Sequence, residues 1–356
     1  MKTFVSGGAG FIGSHLVDAL VERGDEVLIV DDLSTGRGLN IADAMARGAR
    51  LIPADVTDLA AVERAISNFR PDVVFHLAAQ VDVRVSVEDP GFDVRVNVEG
   101  AVNLLEAARR VDADRFVFAS SCATYGESPD ESLPLTERAP LRPGSPYGQA
   151  KLAAEGYVAL YRELHGMRAA NMRFGNVYGP RQSSVGEAGV VAIFCRQMIA
   201  GSTPEVFGTG NQTRDFVYVG DVVRALIAAA DTGASGEYNV GTSIETSVLD
   251  LVDTLASVGG RADFIPEMKP GRAGEIERMA LDPSRAAEHL HWKPQVELDT
   301  GLRLTWEFYA RRRHSPERQI RAVPDTGGAA ADGTARLSAA QSAPESGSKE
   351  RRRPLF

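Results

Sequence analysis

The chain has 356 residues, 44% hydrophobic and 24% charged, with 39 basic against 48 acidic side chains and a net charge of −9. No apolar run approaches the roughly 20 residues of a bilayer-crossing helix, the early glycines replace the apolar centre of a secretory leader, and Cys122 and Cys195 are too few for a disulfide framework. These features predict a cytoplasmic protein of one large or two modest domains with reduced thiols, and they argue against membranes and nucleic acid as partners, the latter because an acidic surface repels a phosphate backbone.

Residues 3–6 read as a short strand, 13–23 carry helical spacing, and 26–30 form a second strand ending at Asp31. Between the first strand and its helix lies Gly7-Gly-Ala-Gly10-Phe11-Ile12-Gly13. Glycines there let the backbone turn tightly and let a pyrophosphate approach the helix N-terminus, where unpaired N–H groups and the helix dipole favour negative charge. Asp31 follows about twenty residues on, where a carboxylate accepts hydrogen bonds from ribose hydroxyls and repels a 2′-phosphate. The turn therefore predicts a dinucleotide, NAD in preference to NADP.

Apolar strands at 49–53, 72–77 and 115–119 follow, separated by amphipathic stretches at 59–69 and 94–111. Strand and helix alternating at this spacing predict an α/β fold, a doubly wound parallel sheet with helices on both faces. Asp55-Val56 after the third strand and Leu77-Ala78-Ala79 after the fourth lie where strand ends open onto the ligand crevice, and small residues there admit a cofactor. Ser120-Ser121-Cys122-Ala123 closes the next strand over the same crevice, so a hydroxyl there can bond a reacting oxygen. Tyr147 and Lys151 open a helical segment four residues apart, on one face. An ammonium beside the phenol favours phenolate and moves it toward use as a general base.

Beyond 171–174 the pattern loosens into pieces punctuated by Gly and Pro, with helices near 190–200, 222–230 and 248–258 and a strand at 216–219. The expected organisation is a dinucleotide-binding domain over 1–175 with returns near 214–242, a smaller, interleaved substrate lobe over 176–312, and a tail over 315–356. Large apolar side chains almost vanish from that tail, so it is expected to be disordered, and the ten basic against five acidic residues counted from 311 to 356 leave about −14 on the rest of the chain. The six histidines are dispersed, and the one close pair, His289 and His291, lacks further ligands at metal spacing, so no metal is predicted.

Together the glycine turn, His76-Leu-Ala-Ala79, Asn97, the Ser121, Tyr147 and Lys151 set, and Arg173-Phe-Gly-Asn176-Val-Tyr-Gly-Pro180 resemble the extended short-chain dehydrogenase/reductases, in their NAD-dependent epimerase/dehydratase family. Residues 189–194, Phe207-Gly, 214–219 and 272–275 look most like the UDP-glucose (UDP-galactose) 4-epimerases. The resemblance covers residues 1 to about 310 and implies a Rossmann-like domain that retains NAD. It implies Ser121 as catalytic hydroxyl, Tyr147 as base, Lys151 as the lysine on the nicotinamide ribose, and Asn97 near the cofactor. Arg214 and Arg272 match the diphosphate-binding arginines, and planar guanidinium groups suit phosphate oxygens. Asn176 falls near sugar and phosphate, Val190 in the loop beside them, Val206 and Phe207 at the uracil, and Met279 at the position tied to selectivity for plain or N-acetylated sugars. The helices at 94–111 and 147–164 match the family's homodimer seam. Where dehydratases and decarboxylases of this frame carry acidic residues after the hydroxyl, this chain has Cys122 and Ala123, which leaves 4-epimerisation of a UDP-hexose as the leading reading. An N-acetylhexosamine or uronic acid as the sugar, a dehydratase or reductase, and a non-catalytic NAD-binding regulator are the alternatives.

Overall fold

The computed structural model describes residues 1–127, 132–183, 189–261, 264–271 and 276–313. The expected tail and Arg272 lie outside them. In chain order the first half is β1 (Lys2–Ser6), α1 (Phe11–Glu22), β2 (Glu26–Asp31), α2 (Ala42–Ala46), β3 (Arg50–Pro53), α3 (Leu59–Phe69) and β4 (Val73–His76). Next come α4 (Val83–Glu88), α5 (Pro90–Val94), a π-helical turn (Arg95–Glu99), α6 (Gly100–Arg110), β5 (Arg115–Ser121), α7 (Pro146–His165) and β6 (Arg168–Phe174). The rest runs β7 (Asn176–Tyr178), α8 (Val190–Ala200), β8 (Glu205–Phe207), β9 (Thr213–Arg214), β10 (Phe216–Tyr218), α9 (Val219–Thr232), β11 (Gly236–Val240), β12 (Thr246–Ser247), α10 (Val248–Val258), β13 (Glu267–Lys269), α11 (Ser284–His289) and α12 (Leu298–Arg313).

Seven parallel strands in the order β11-β6-β5-β4-β1-β2-β3 make the main sheet. Its strands read as continuous apolar runs because both faces are covered. Leu16, Val17 and Leu20 of α1 pack with Val222, Leu226 and Ala229 of α9 on one face, while Val62 and Ile66 of α3, Leu104 and Leu105 of α6 and Val158 of α7 fill the other. Strand order reverses between β1 and β4, and a doubly wound sheet opens its ligand crevice at that switch point. The glycine turn and Leu77-Ala78-Ala79 meet there. A second apolar cluster joins α8, α10 and α12 through Phe194, Met198, Leu251, Leu255 and Leu302.

The fold departs from the sequence expectation in three places. The helix expected at 94–111 starts at Pro90, capped by Asp89 on Phe92 N at 2.8 Å, and widens into the π-helical turn before α6. The helix expected at 222–230 begins three residues earlier, directly on β10. Helix α12 escaped the pattern because it carries charged residues around much of its circumference and buries only a narrow stripe including Leu302. Among the described residues no helix is long and apolar enough to cross a membrane.

Candidate active site

The turn after β1 is shaped by what cannot fit there. Gly7 holds φ +70°, and a Cβ on it would stand 2.5 Å from Ala78 N, so the β1 and β4 exits touch backbone to backbone. A Cβ on Gly13 would lie 2.1 Å from Gly7 O. Helix α1 then starts at Phe11 and Ile12 with Gly10 at its N-cap and no side chain capping it, whereas α3 and α7 are capped by Asp58 and Ser145. An uncapped N-terminus against a side-chain-free turn suits an anion. Asp31 ends β2 beside it, nearly buried, its Oδ2 accepting from Ala9 N and its Oδ1 from Leu33 N, both at 2.9 Å. Burial raises its carboxyl against these two bonds. Each oxygen keeps lone-pair capacity for a hydroxyl, so the cradle fits the ribose and pyrophosphate of NAD.

Asp55 is exposed and Val56 is buried against Gly100, and Asn103 Nδ2 fixes this corner by donating to Val56 O at 3.0 Å. Leu77, Ala78 and Ala79 are half-buried at the switch point, with Ala78 N donating to Ser6 Oγ at 3.4 Å. Asn97, on the π-helical turn, is buried instead of lining open space. Its Nδ2 donates to Gln80 O at 2.9 Å and Asp93 Oδ1 at 3.0 Å, while its Oδ1 has no partner.

Ser121, Tyr147 and Lys151, the residues expected to react, come from the end of β5 and the start of α7. Ser145 caps α7 through Gly148 N at 3.1 Å and Pro146 occupies its first turn, which aims Tyr147 at β5. Ser121 Oγ accepts from Ala123 N at 3.1 Å, and its hydroxyl lies near enough to Tyr147 and Cys122 to favour the ionised form of each. Lys151 is buried one turn on. Its Nζ donates to Ala119 O at 2.9 Å and lies 4.8 Å from the centre of the Phe118 ring. This corrects one expectation: the ammonium is tied to the β5 backbone, and burial, not Lys151, dominates the phenol, pushing Tyr147 up to about 12 against the lowering by Ser121. Burial draws Lys151 down to about 8 against the carboxylates of Asp93 and Glu155. It also pushes Cys122 up to about 11, so this thiol is not an acid-base group near neutrality.

On the substrate side, Arg214 acts on Cys122 electrostatically and donates through Nη1 to Thr213 O at 2.8 Å and Ile276 O at 2.7 Å. Asn176 is half-buried on β7, its N–H held by Asp215 O at 2.7 Å. Val190 starts α8 behind Gly189, and Phe207 is half-buried at the end of β8. Val206, expected beside Phe207 at the uracil, instead faces the lobe core with Phe194 and Leu251, as alternation along a strand requires. Met279 is buried with Tyr125, Leu135 and Leu281, and Cys122 packs against this cluster. Sequence reading passed over Gln80 and Asp93 and took His76 only as part of a strand-end motif. His76 bonds Ser6 Oγ at 2.8 Å through Nδ1, has no partner for Nε2, and is drawn by burial to about 3, hence neutral. No spacing in the sequence flags these groups, because they converge from separate elements. Among the described residues no three His, Cys, Asp or Glu side chains gather as a metal site.

Comparison with known proteins agrees with this geometry. The sequence profile of the NAD dependent epimerase/dehydratase family matches residues 3–241. A UDP-glucose 4-epimerase of Mycolicibacterium smegmatis is 45% identical over 312 residues, 87% of this chain and 98% of that protein. The crystal structure of a Thermotoga maritima UDP-glucose 4-epimerase with UDP-glucose superposes with a TM-score of 0.85 at 41% identity, covering 88% of this chain and all of that one. A Thermus thermophilus UDP-glucose 4-epimerase in complex with NAD gives 0.80 at 41% identity, over 87% and 99% of the two chains.

Proposed function

The chain belongs to the NAD dependent epimerase/dehydratase family, and from that premise we propose that it interconverts UDP-glucose and UDP-galactose at C4 with a tightly retained NAD. The observation that carries this is the placement of Ser121 beside Tyr147, where it lowers the phenol against the effect of burial, next to a cradle fit for a dinucleotide, with Cys122 and Ala123 following the serine. Elimination or decarboxylation on this frame needs a further acid or base there, and a buried thiol and a methyl group supply none.

NAD, when bound, takes up and returns the C4 hydrogen and brings a positive ring that favours phenolate. Gly7, Gly10 and Gly13 with the first turn of α1 hold its pyrophosphate, Asp31 its adenosine ribose, Asp55 and Val56 its adenine side, and Lys151 its other ribose. Tyr147 removes the proton of the sugar 4-hydroxyl, and Ser121, beside that phenol, relays it and restores it. Arg214 and Arg272 grip the diphosphate, with Phe207 at the base and Asn176 between sugar and phosphate. Binding energy placed on the UDP end leaves the oxidised sugar free to turn over and present its other face.

The substrate lobe is residues 176–312, the protein acts in the cytoplasm, and it works as a homodimer. Support for the dimer comes from a band of exposed apolar side chains on neighbouring helices: Val87, Phe92 and Val94 on α4 and α5, and Tyr157, Leu160 and Leu164 on α7. The test of function is to incubate the purified protein with UDP-sugars, without added NAD, and resolve the C4 epimers. Tyr147→Phe is expected to lower kcat by about 10³-fold or more, within the range for loss of a general base, while UDP binding stays nearly intact. Retained turnover removes Tyr147 as the base.

A further inference from the structure

Where α7 crosses the sheet, apolar packing gives way to a buried polar cluster that this mechanism does not use. Alternation turns Phe116, Phe118 and Ser120 of β5, and Ala169, Asn171 and Arg173 of β6, toward the face that α7 covers. Phe116, Phe118 and Ala169 pack with Ala154 and Val158 of α7. Toward the crevice both series end in polar groups, and these meet on Glu155 of α7. Arg173 reaches its Oε1 from Nε at 2.9 Å and its Oε2 from Nη2 at 2.6 Å, and Ser120 Oγ donates to Oε1 at 2.5 Å. The side chains of Arg173 and Glu155 are only 3% and 4% exposed.

The cluster brackets the residues expected to react. Arg173 also donates from Nη1 to the Tyr125 hydroxyl at 3.0 Å, and that hydroxyl donates to Asn239 Oδ1 at 2.7 Å. Ser121 thus lies between two held points, Ser120 gripped by Glu155 and Tyr125 gripped by Arg173. On the helix, Glu155 follows Tyr147 by two turns on the same side, with Lys151 between them. The first turn of α7 meets the chain after Ser121 by steric contact: a Cβ on Gly148 would stand 2.5 Å from Ala123 O. Such a contact stops the helix from coming closer, but it does not stop it from moving away or sliding along β5. Lys151 holds Ala119 O at the end of a flexible stem, whereas Glu155 is fixed by two nitrogens and a hydroxyl. A buried ion pair adds little stability over apolar side chains of the same bulk, and its best use is to fix the register of the parts it joins.

We propose that Glu155 and Arg173 are the positioning pair of this site: they set the spacing between Ser121 and the Tyr147 phenol by tying α7 to β5 on one side of Ser121 and holding Tyr125 on the other. Both are buried and act through Ser120 and Tyr125. The proposal rests on the assignment of Ser121 and Tyr147 as reacting groups.

The test replaces both partners at once, because removing one leaves an unmatched buried charge. Glu155→Leu combined with Arg173→Met keeps the bulk and removes both charges, so the double variant is expected to fold and to retain NAD. In its crystal structure with NAD, the distance from Ser121 Oγ to the Tyr147 hydroxyl is expected to lengthen by about 1 Å, and kcat to fall by about 10²-fold, the cost of a misplacement of that size. KM for the UDP-sugar is expected to stay at the parent value, since the loss falls on the transition state. A pair that served stability alone would change Tm and leave kcat per folded, NAD-loaded molecule unaltered. Parental spacing in the double variant overturns the proposal, and so does a parental kcat. Should the double variant fail to fold, Ser120→Ala decides, because it cuts only the tie to β5: a lengthened spacing supports the proposal and an unchanged one overturns it. Absence of epimerisation in the parent would sink the functional reading alone, since the spacing is read without turnover.

Discussion

Tyr147 shows how a residue's chemistry depends on more than its neighbours in sequence. Spacing of four from Lys151 placed both on one face of α7, and the structure keeps them there. The acidity of the phenol is nevertheless governed by burial, with Ser121 and not the ammonium as the partner that lowers it. Desolvation penalises the charged form of any buried phenol, and no pattern of residue types reports how deeply a side chain will lie. Gly13 is the opposite case, legible because its role is local. A Cβ there would meet Gly7 O at 2.1 Å and Gly8 Cα at 2.9 Å, both backbone atoms with no freedom to retreat. Gly13→Ala is therefore expected to cost about 2 kcal/mol, as overpacking does, and to yield protein with little retained NAD. Thermal denaturation and the nucleotide content of the purified variant check this, and a variant as stable and as fully loaded as the parent refutes it.

At the scale of elements, α7 carries two jobs along one rod. Its capped first turn presents Tyr147 to β5, and four turns on it leaves Leu160 and Leu164 exposed. Exposed leucines and valines spread over α4, α5 and α7 make a patch that monomers seldom leave open. Leu160→Glu is expected to convert the dimer to a monomer in sedimentation experiments while the isolated fold survives, since that side chain is outside the core. A monomeric parent protein overturns the dimer reading. The π-helical turn between α5 and α6 was invisible in the sequence. Periodicity at 94–111 supports an ordinary helix, whereas the structure widens into a π-helical turn that carries Asn97, whose amide bonds Gln80 O and Asp93 Oδ1. Such widened turns recur at functional sites.

The whole molecule adds a dependence on pH that no single element contains. His76 lies at the centre of the sheet, and burial draws it to about 3. In the unfolded chain its ordinary value is near 6.5, so between these limits the unfolded state binds a proton the folded state refuses, and stability falls as pH falls through that window. The loss attributable to His76 is about 2 kcal/mol by pH 5. Asp31, Asp93 and Asp215, raised by burial, act in the opposite sense on acidification. Comparison with His76→Gln isolates the histidine, because those carboxyls are common to both proteins. The variant is expected to lose about 4 °C less in Tm than the parent between pH 7 and pH 5, and equal losses exclude His76 as the source. The amino-acid sequence by itself determined the doubly wound sheet, the glycine cradle, Asp31 and the spacing of Ser121, Tyr147 and Lys151, because strand alternation, tight turns and helical periodicity are properties of neighbouring residues. Only the tertiary structure decided that Val206 faces the lobe core, that Lys151 is tied to Ala119, that Gln80, Asp93 and Asn97 bond one another, and that His76 bonds Ser6. Burial and charge compensation are set by groups from distant parts of the chain, and these meet only when the sheet and its helices have packed.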